Sequence, residues 1–160
     1  MSTLEFLGFR DSEPCKLARL ETAGSYRIPL NIHIDNAADV EPMRPGPCRI
    51  DVCAIGYDIQ IFDSETAYLA QENTLALPAL IPVGTFSLDG DESFEESPDI
   101  LFTGSVQCVE HMPDAAPDEP NCCLFIHTLE LEFRLYLQLD APVREGSVVY
   151  GCAWLFGDLL

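Results

Sequence analysis

The sequence predicts a mainly β fold, an antiparallel barrel or sandwich, because apolar and polar residues alternate in two long stretches. The first is residues 129–140, which read LELEFRLYLQLD. Side chains on a β-strand point to opposite faces with a period of two, so each stretch buries one face and exposes the other. The second is residues 26–35, with apolar Tyr26, Ile28, Leu30, Ile32 and Ile34 inside and polar Arg27, Asn31, His33 and Asp35 outside.

Shorter patterns predict the other elements of the N-terminal half. Residues 4–9 predict a strand, and residues 17–22 predict another that forms a hairpin with 26–35, although Ser12 and Pro14 could instead open a helix. Residues 49–62 alternate with a slip of phase at 54–56, which indicates a β-bulge. Asp63 or Ser64 can cap a short helix that runs to about residue 72, the one helix that we predict.

The C-terminal half predicts three further strand regions, at residues 100–108, 122–140 and 147–156. Segments 36–47 and 112–121 each contain three prolines and predict loops. Residues 75–86 are apolar but carry two prolines and a glycine, which is typical of irregular or edge structure that covers a core. A chain of 160 residues with this pattern predicts a single β-rich domain, residues 1–160.

The charge of the chain excludes some classes of partner. It carries 27 acidic and 8 basic residues, a net charge of −19, of which −6 falls on residues 1–80 and −13 on residues 81–160. Such an acidic surface repels the phosphates of nucleic acids and of anionic membranes. It suits a basic protein partner, whose approach a negative potential accelerates.

The cysteines and the N-terminal residues indicate the compartment. Seven cysteines are an odd number without disulfide-scaffold spacing, and the N-terminal residues lack a signal-peptide pattern. No apolar run reaches membrane-spanning length. We therefore expect a cytoplasmic protein whose thiols are small core residues.

The last third of the chain carries spaced glycines and apolar residues around a single tryptophan. They are Gly104, Val106, Val109, Glu110, Asn121, the stretch at 129–140, Gly146, Val149, Gly151, Trp154, Leu155 and Gly157. This third resembles the C-terminal strands of small bacterial OB-like β-barrel domains, many of unassigned function. The resemblance implies a small Greek-key barrel used for binding. OB domains that bind single-stranded nucleic acids use basic grooves, and this chain departs from them in charge.

Cysteines and histidines near residues 108–127 suggest a zinc site that the predicted strand geometry does not support. The candidate ligands are Cys108, His111, Cys122, Cys123 and His127. A regular hairpin that pairs Cys108 with Phe125 also sets His127 opposite Val106. Three candidates then share the inner face and the other two, His111 and Cys122, the outer one, whereas zinc needs four ligands at one point. We therefore predict no metal and no cofactor, and expect buried thiols with a core histidine.

The densest group of carboxylates lies in the connection at residues 89–99. It comprises Asp89, Asp91, Glu92, Glu95, Glu96 and Asp99. Calcium takes about six to eight oxygen ligands from a short loop, but the ligand spacing of an EF-hand is absent from this sequence. A docking patch for a partner protein and a plain solvated loop are the other interpretations.

One exposed strip on the stretch at 129–140 is a candidate partner-binding surface. It comprises Glu130, Glu132, Arg134 and Tyr136. Tyr136 is the distinctive member, because an exposed aromatic residue beside charges suits a contact surface, while an ordinary wet sheet face is the alternative. The other C-terminal aromatic residues fall on apolar positions and predict core packing. They are Phe125, Phe133, Tyr150, Trp154 and Phe156.

No sequence motif indicates catalysis. The sequence contains neither a nucleophile elbow nor a glycine-rich phosphate loop. We therefore expect a non-catalytic protein-interaction module, immunity- or adaptor-like, that binds a basic protein. The alternatives are a small-ligand or metal-binding barrel with Cys123 and His127 inside, and an enzyme with an unrecognised site.

Overall fold

The computed structural model describes residues 1–10, 16–40, 44–72, 74–86, 90 and 93–160. These residues form nine strands and two short helices, so the mainly β prediction is confirmed. The strands are β1 Ser2–Arg10, β2 Lys16–Thr22, β3 Pro29–Ile34, β4 Gly46–Phe62, β5 Ala79–Ile81, β6 Asp99–His111, β7 Cys122–Thr128, β8 Leu131–Leu137 and β9 Val148–Leu159. The helices are α1 Ala37–Val40 and α2 Glu65–Leu69.

All nine strands belong to one sheet whose pairings close on themselves. The order is β1-β2-β3-β9-β4-β8-β7-β6-β5, with additional pairings of β1 to β4 and of β6 to β9. Two rings of five strands result, β1-β2-β3-β9-β4 and β4-β8-β7-β6-β9, and they share the β4–β9 pair. Most neighbours are antiparallel, but β3 runs parallel to β9 and β4 runs parallel to β8. The sheet is therefore mixed rather than antiparallel, because strand direction cannot alternate all the way around a closed ring of five strands, and each ring contains one parallel pair.

One apolar core extends through both rings. Each of the nine strands contributes buried residues to a single cluster, in which the Phe102 and Phe133 rings meet edge to face with centroids 5.2 Å apart. The two shared strands approach closely, since a Cβ at Gly157 of β9 would overlap the carbonyl oxygen of Asp51 on β4. A single domain would have a continuous core of this kind. That residues 1–160 form one domain stays a prediction.

Several local predictions are confirmed. Residues 16–22 pair with β3 as a hairpin rather than forming a helix, and the alternating residues Leu30, Ile32 and Ile34 are buried. The Ser64 hydroxyl caps α2 by accepting a hydrogen bond from the Ala67 amide at 3.1 Å. The short helix α1 lies in a segment predicted as loop.

Two predictions around β3 are wrong, the inward position of Tyr26 and the exposure of Asn31. Tyr26 is 68% exposed because β3 begins only at Pro29, so the alternation at 26–28 belongs to the preceding turn. Asn31 points outward but is 1% exposed. The connection between β5 and β6 crosses the outer face of β2 and β3, and the Asn31 amide donates to carbonyls of Gly84 and Ser97 in it. Ser12 and Pro14, on which the helix alternative rested, lie outside the described residues.

The bulges lie at positions other than the predicted one. The register of β4 with β9 shifts between Tyr57 and Gln60, not at residues 54–56. A second shift, between Val106 and Cys108 on β6, leaves Gln107 as an extra residue opposite β7. Because one extra residue moves the following side chains to the opposite face, Cys108 is exposed although it was predicted inside.

Candidate functional site on the outer face of β8, β4 and β9

The predicted partner-binding strip lies on β8 and in the turn before it. Glu132, Arg134 and Tyr136 alternate along β8 on its outer face, and the residues between them are buried. Glu130 is not on this face, because β8 begins at Leu131 and Glu130 occupies the turn between β7 and β8. The structure therefore brings together three of the four residues in the predicted strip.

Glu130 instead joins two connections of the fold. Its carboxylate accepts hydrogen bonds from the Thr22 hydroxyl at the end of β2, at 2.7 Å, and from the Tyr26 amide in the connection between β2 and β3, at 2.9 Å. These bonds, the one from Thr22 most of all, lower the pKa of the Glu130 carboxyl below its ordinary value. Gly24 leaves space for the Glu130 carboxylate, because a Cβ at position 24 would overlap it. Glu130 thus links the β7–β8 turn of the second ring to the connection between β2 and β3 in the first ring.

The outer face of β8 continues across β4 and β9 as a patch rich in aromatic residues. Strand register arranges its side chains in three rows. The first row is Arg134, Cys53, Phe156 and His33, the second is Tyr136, Ile55, Trp154 and Asp99, and the third is Tyr57 and Cys152. We call these ten residues the aromatic face. From strand spacing and rise per residue it measures roughly 15 Å by 14 Å.

The rings of the aromatic face contact one another and still reach the surface. The Trp154 ring lies 5.1 Å from the His33 ring and 6.2 Å from the Phe156 ring, measured between centroids. Ile55 and Tyr57 are each 41% exposed, and Trp154 is half-buried. Packed aromatic side chains beside an arginine are typical of the centre of protein–protein interfaces.

The prediction that the aromatic residues of β9 pack in the core is wrong. Tyr150, Trp154 and Phe156 are half-buried on the outer face, and Phe125 on β7 is also half-buried; of the five, Phe133 is buried as predicted. The inner face of β9 instead carries Gly151, Ala153, Leu155 and Gly157. Glycines are needed there because a Cβ at position 151 or 157 would overlap the backbone of β4. This small-residue alternation is the sequence signal that could have identified the outer face.

Carboxylates border the aromatic face, and one of them, Asp99, is also a member of it. Asp51 accepts a hydrogen bond from the Arg134 guanidinium at 2.5 Å, and Asp99 accepts one from the Tyr57 hydroxyl at 2.5 Å. Burial and the bond to Asp99 raise the pKa of the Tyr57 phenol, so it stays protonated and donating. The other acidic residues at the border are Asp35, which lies 3.2 Å from His33 Nδ1, and the exposed Asp58 and Asp158. Their charge makes the border negative.

The thiols on and beside this face are poor nucleophiles. Cys53 and Cys152 belong to the face, and Cys123 on β7 lies opposite Tyr136. Burial raises the pKa of all three thiols. A thiol with a raised pKa stays protonated near neutral pH and reacts slowly. Cys53 and Cys123 are buried in the sheet and Cys152 is half-buried.

The carboxylate group at 89–99 is described only in part. Asp89, Asp91 and Glu92 lie outside the described residues. Glu96 forms ion pairs with Arg10 at 3.5 Å and with Arg19, while Asp99 belongs to the aromatic face. Glu95 is exposed. Two of the described carboxylates thus have partners within the chain.

The candidate zinc ligands do not converge. Cys108 and His127 are exposed and Cys122 is buried, each contrary to the predicted face. The reason is the extra residue Gln107, which sets His127 opposite Ser105 rather than Val106. Within the described ranges, no group of three or more histidine, cysteine, aspartate or glutamate side chains could hold a metal ion.

A cleft of about 620 Å³ lies between the β6–β7 and β8–β9 connections. Its polar side chains already close the two loops, since Asn121 bonds the backbone of Leu139 twice and the Gln138 amide donates to the Pro117 carbonyl. A second cleft, about 530 Å³, lies beside the aromatic face and includes Glu132 and Arg134.

Comparison with known proteins adds no relative. No family model, no curated protein and no solved structure matches the chain. Of the helices in the described part of the chain, none has the length and apolar character to cross a membrane. The functional argument therefore rests on the geometry of the aromatic face and its border.

Proposed function

We propose that this chain is a non-catalytic interaction module that binds a basic protein through the aromatic face. The observation that carries the proposal is the combination of partly exposed rings with a border of carboxylates on one sheet face. Aromatic residues and arginine are enriched at protein–protein interfaces relative to the rest of the protein surface. Desolvated aromatic residues at the centre and charges at the rim are the usual division of roles in an interface.

The charges favour a basic partner. The chain carries a net charge of −19, so a basic protein is attracted over a distance of about one Debye length, roughly 8 Å at physiological salt. At close range, lysine or arginine side chains of the partner can lie over Trp154, Tyr57 or Tyr136 and reach the carboxylates beside them. Each such cation–π contact contributes about 0.5–2 kcal/mol. Rim charges of this kind affect mainly the association rate and specificity.

An immunity- or adaptor-type role agrees with this chemistry, because such proteins act by occupying a partner's surface. The proposed compartment is the cytoplasm, where free thiols persist. The OB-like relation also stays a proposal. The resemblance covers β6 to β9, which with β4 form the second five-stranded ring, and OB domains are likewise built from five strands.

The test is retention of a partner by two matched pairs of variants. The full chain, fixed to beads, is exposed to lysate of the source organism at about 50 mM and about 500 mM salt, and retained proteins are identified by mass spectrometry. Ile55→Ser removes an apolar contact from the face, and Leu69→Ser makes the same change on α2, where Leu69 is 59% exposed. Asp158→Lys reverses a border charge, and Glu145→Lys reverses an exposed charge elsewhere.

We expect one basic protein to be retained at low salt by the wild type and by the two control variants. Ile55→Ser and Asp158→Lys should each reduce its retention severalfold while leaving the melting temperature nearly unchanged. Equal retention by Ile55→Ser and Leu69→Ser would contradict the assignment of the face. Retention of a basic protein that does not depend on salt would contradict the electrostatic part of the proposal.

A further inference from the structure

We infer that the 530 Å³ cleft beside β8 binds a small organic cation, an amine that carries an aryl or branched alkyl tail. The cleft shares Arg134 with the aromatic face and Asp51 with its border, but the inference does not depend on the proposed protein partner. It follows from three features of the cleft: where it lies in the sheet, which side chain the bulge on β6 brings to it, and the sign of its charges.

The cleft lies where β8 parts from β4. The pairing of these strands covers Cys53–Ile55 on β4 and Arg134–Tyr136 on β8, and the earlier residues of β8 lie beside β1 instead. The contact there is a side-chain bond, from the Ser2 hydroxyl to the Glu132 carbonyl at 3.0 Å. The apolar side chains that line the cleft at this fork and reach the surface are Phe125, which is half-buried, and Met1, which is exposed, while Val52, Ile126 and Phe133 beneath them are buried in the core. An apolar tail can therefore pack against Phe125 and Met1 without any movement of the strands.

The bulge on β6 aims a polar group at the cleft. Gln107 is the extra residue between Val106 and Cys108, it is exposed, and it lines the cleft together with the half-buried Phe125. β-Bulges are frequent next to binding sites because they redirect one side chain from its regular position. The side-chain amide nitrogen of Gln107 donates to the Ser105 hydroxyl at 3.0 Å. The carbonyl oxygen of the same side chain can accept a hydrogen bond from an ammonium group.

The charges at the cleft favour a cation over an anion. The charged side chains that line it are those of Asp51, Glu132 and Arg134, two carboxylates and one guanidinium, and the N-terminal residue Met1 lies beside them. Arg134 is occupied by Asp51, whereas the Glu132 side chain is 62% exposed and has His127 Nδ1 at 3.1 Å. A bound anion would face Glu132 and the net charge of the chain, −19. An ammonium group can instead bind Glu132 while its tail enters the apolar part.

The size of the cleft fits a small molecule. Ligand sites in proteins measure about 300–1,000 Å³, are mostly apolar, and carry a few polar groups that orient the ligand. The cleft combines the apolar side chains of Phe125 and Met1 with a carboxylate, Glu132, and an amide, Gln107. Phenethylamine has the required chemistry, an aryl tail with a terminal ammonium group. 2-Phenylethanol and 3-phenylpropionate keep the aryl tail but present a neutral and an anionic head.

The experiment titrates these three probes into the ¹⁵N-labelled full chain and follows amide chemical shifts. We expect phenethylamine to shift residues of β7, β8 and the Gln107 bulge, with an affinity about fivefold or more above that of 2-phenylethanol. 3-Phenylpropionate should not bind. Equal affinities for the amine and the alcohol would overturn the assignment of a cation, and an absence of shifts in the cleft with all three probes would overturn the site itself.

Variants locate the binding within the cleft. Glu132→Gln should weaken phenethylamine about fivefold and leave 2-phenylethanol unchanged, while Glu110→Gln, the same change at an exposed position of β6, should alter neither. Gln107→Trp should fill the mouth and abolish binding of both, with the melting temperature confirming that the variant is folded. Ile55→Ser on the aromatic face should bind as the wild type does. Undiminished binding by Gln107→Trp would place the amine elsewhere and overturn the inference.

Discussion

On the outer faces of two neighbouring parts of the sheet, the exposure of the residues is the opposite of what their polarity predicts. On β2 and β3 the outward residues Arg19 and Asn31 are polar, yet they are 9% and 1% exposed. On β4 and β9 the outward residues include Ile55 and Trp154, yet they remain partly exposed. On the first face, described residues of the connection between β5 and β6 lie over the strands: Gly84 and Ser97 accept hydrogen bonds from Asn31, and Glu96 pairs with Arg19. A polar residue can thus be buried where a covering segment supplies its hydrogen-bond partners, and an apolar residue can stay exposed where the sheet face is open.

The largest expected effect comes from removing the polar contacts under the covering segment. Arg19 donates to Asn31 Oδ1 at 2.8 Å, forms an ion pair with Glu96 and has its guanidinium carbon 5.0 Å from the centre of the Phe86 ring. Arg19→Ala should lower the free energy of unfolding by about 2–3 kcal/mol, since it leaves the buried Asn31 carbonyl without a donor. Urea unfolding monitored by circular dichroism measures this.

The matched control is Arg144→Ala. Arg144 is 67% exposed and 3.8 Å from Asp63, so its loss should cost less than about 0.5 kcal/mol. If the two alanine variants unfold at the same urea concentration, the polar cluster does not hold the covering segment in place. Hydrogen exchange at Gly84 and Ser97 gives an independent reading, because opening of the segment should speed exchange there in Arg19→Ala alone.

These two faces also show what the sequence could and could not predict. Alternation identified the inner residues Leu30, Ile32 and Ile34 and the outward positions of Glu132, Arg134 and Tyr136, because a period of two depends only on local backbone geometry. It could not predict that Asn31 is covered, because the covering residues lie more than fifty positions further along the chain. It assigned Trp154 to the wrong face because the close approach of β4 and β9, which demands glycine inside, is a property of the closed rings.

Glu130 links the covered side of the molecule to β8 and should make stability depend on acid pH. Its hydrogen bonds lower its pKa in the folded state, so its contribution is fully present above the unfolded pKa, near 4.5, and is lost as pH falls through the lower folded value. Glu130→Gln should therefore be less stable than the wild type at pH about 6, with the difference shrinking below pH about 4. Urea midpoints at several pH values measure the difference.

Glu145→Gln provides the comparison for Glu130→Gln, because Glu145 is an exposed glutamate in the β8–β9 connection. Its midpoint should follow that of the wild type at every pH. A gap between Glu130→Gln and the wild type that stays constant down to pH about 3 would show that the bonds to Thr22 and Tyr26 do not favour the ionised carboxylate.

The uncovered face should contribute little to stability. Ile55 is 41% exposed on the aromatic face, whereas Ile32 is 0% exposed on the inner side of β3. Ile55→Ala should cost at most about 1 kcal/mol, and the same change at Ile32 about 3 kcal/mol, because only the second leaves a cavity in the core. A cost at Ile55 as large as that at Ile32 would mean that the aromatic face is packed as a second core and not kept open for a partner.

The smallest expected effect is in the fluorescence of Trp154. It reports directly on the exposure and the electrostatic potential of the aromatic face. Trp154 is the single tryptophan of the chain, so quenching reports on the aromatic face alone. Neutral acrylamide should reach the half-buried ring, whereas iodide should be repelled by Asp99 beside it and by the rest of the carboxylate border. Relative to a free tryptophan amide, the ratio of iodide to acrylamide quenching should fall about twofold, and added salt should restore it. An unchanged ratio would show that the border does not set the potential at the rings, and the basic character assigned to the partner would lose its local support.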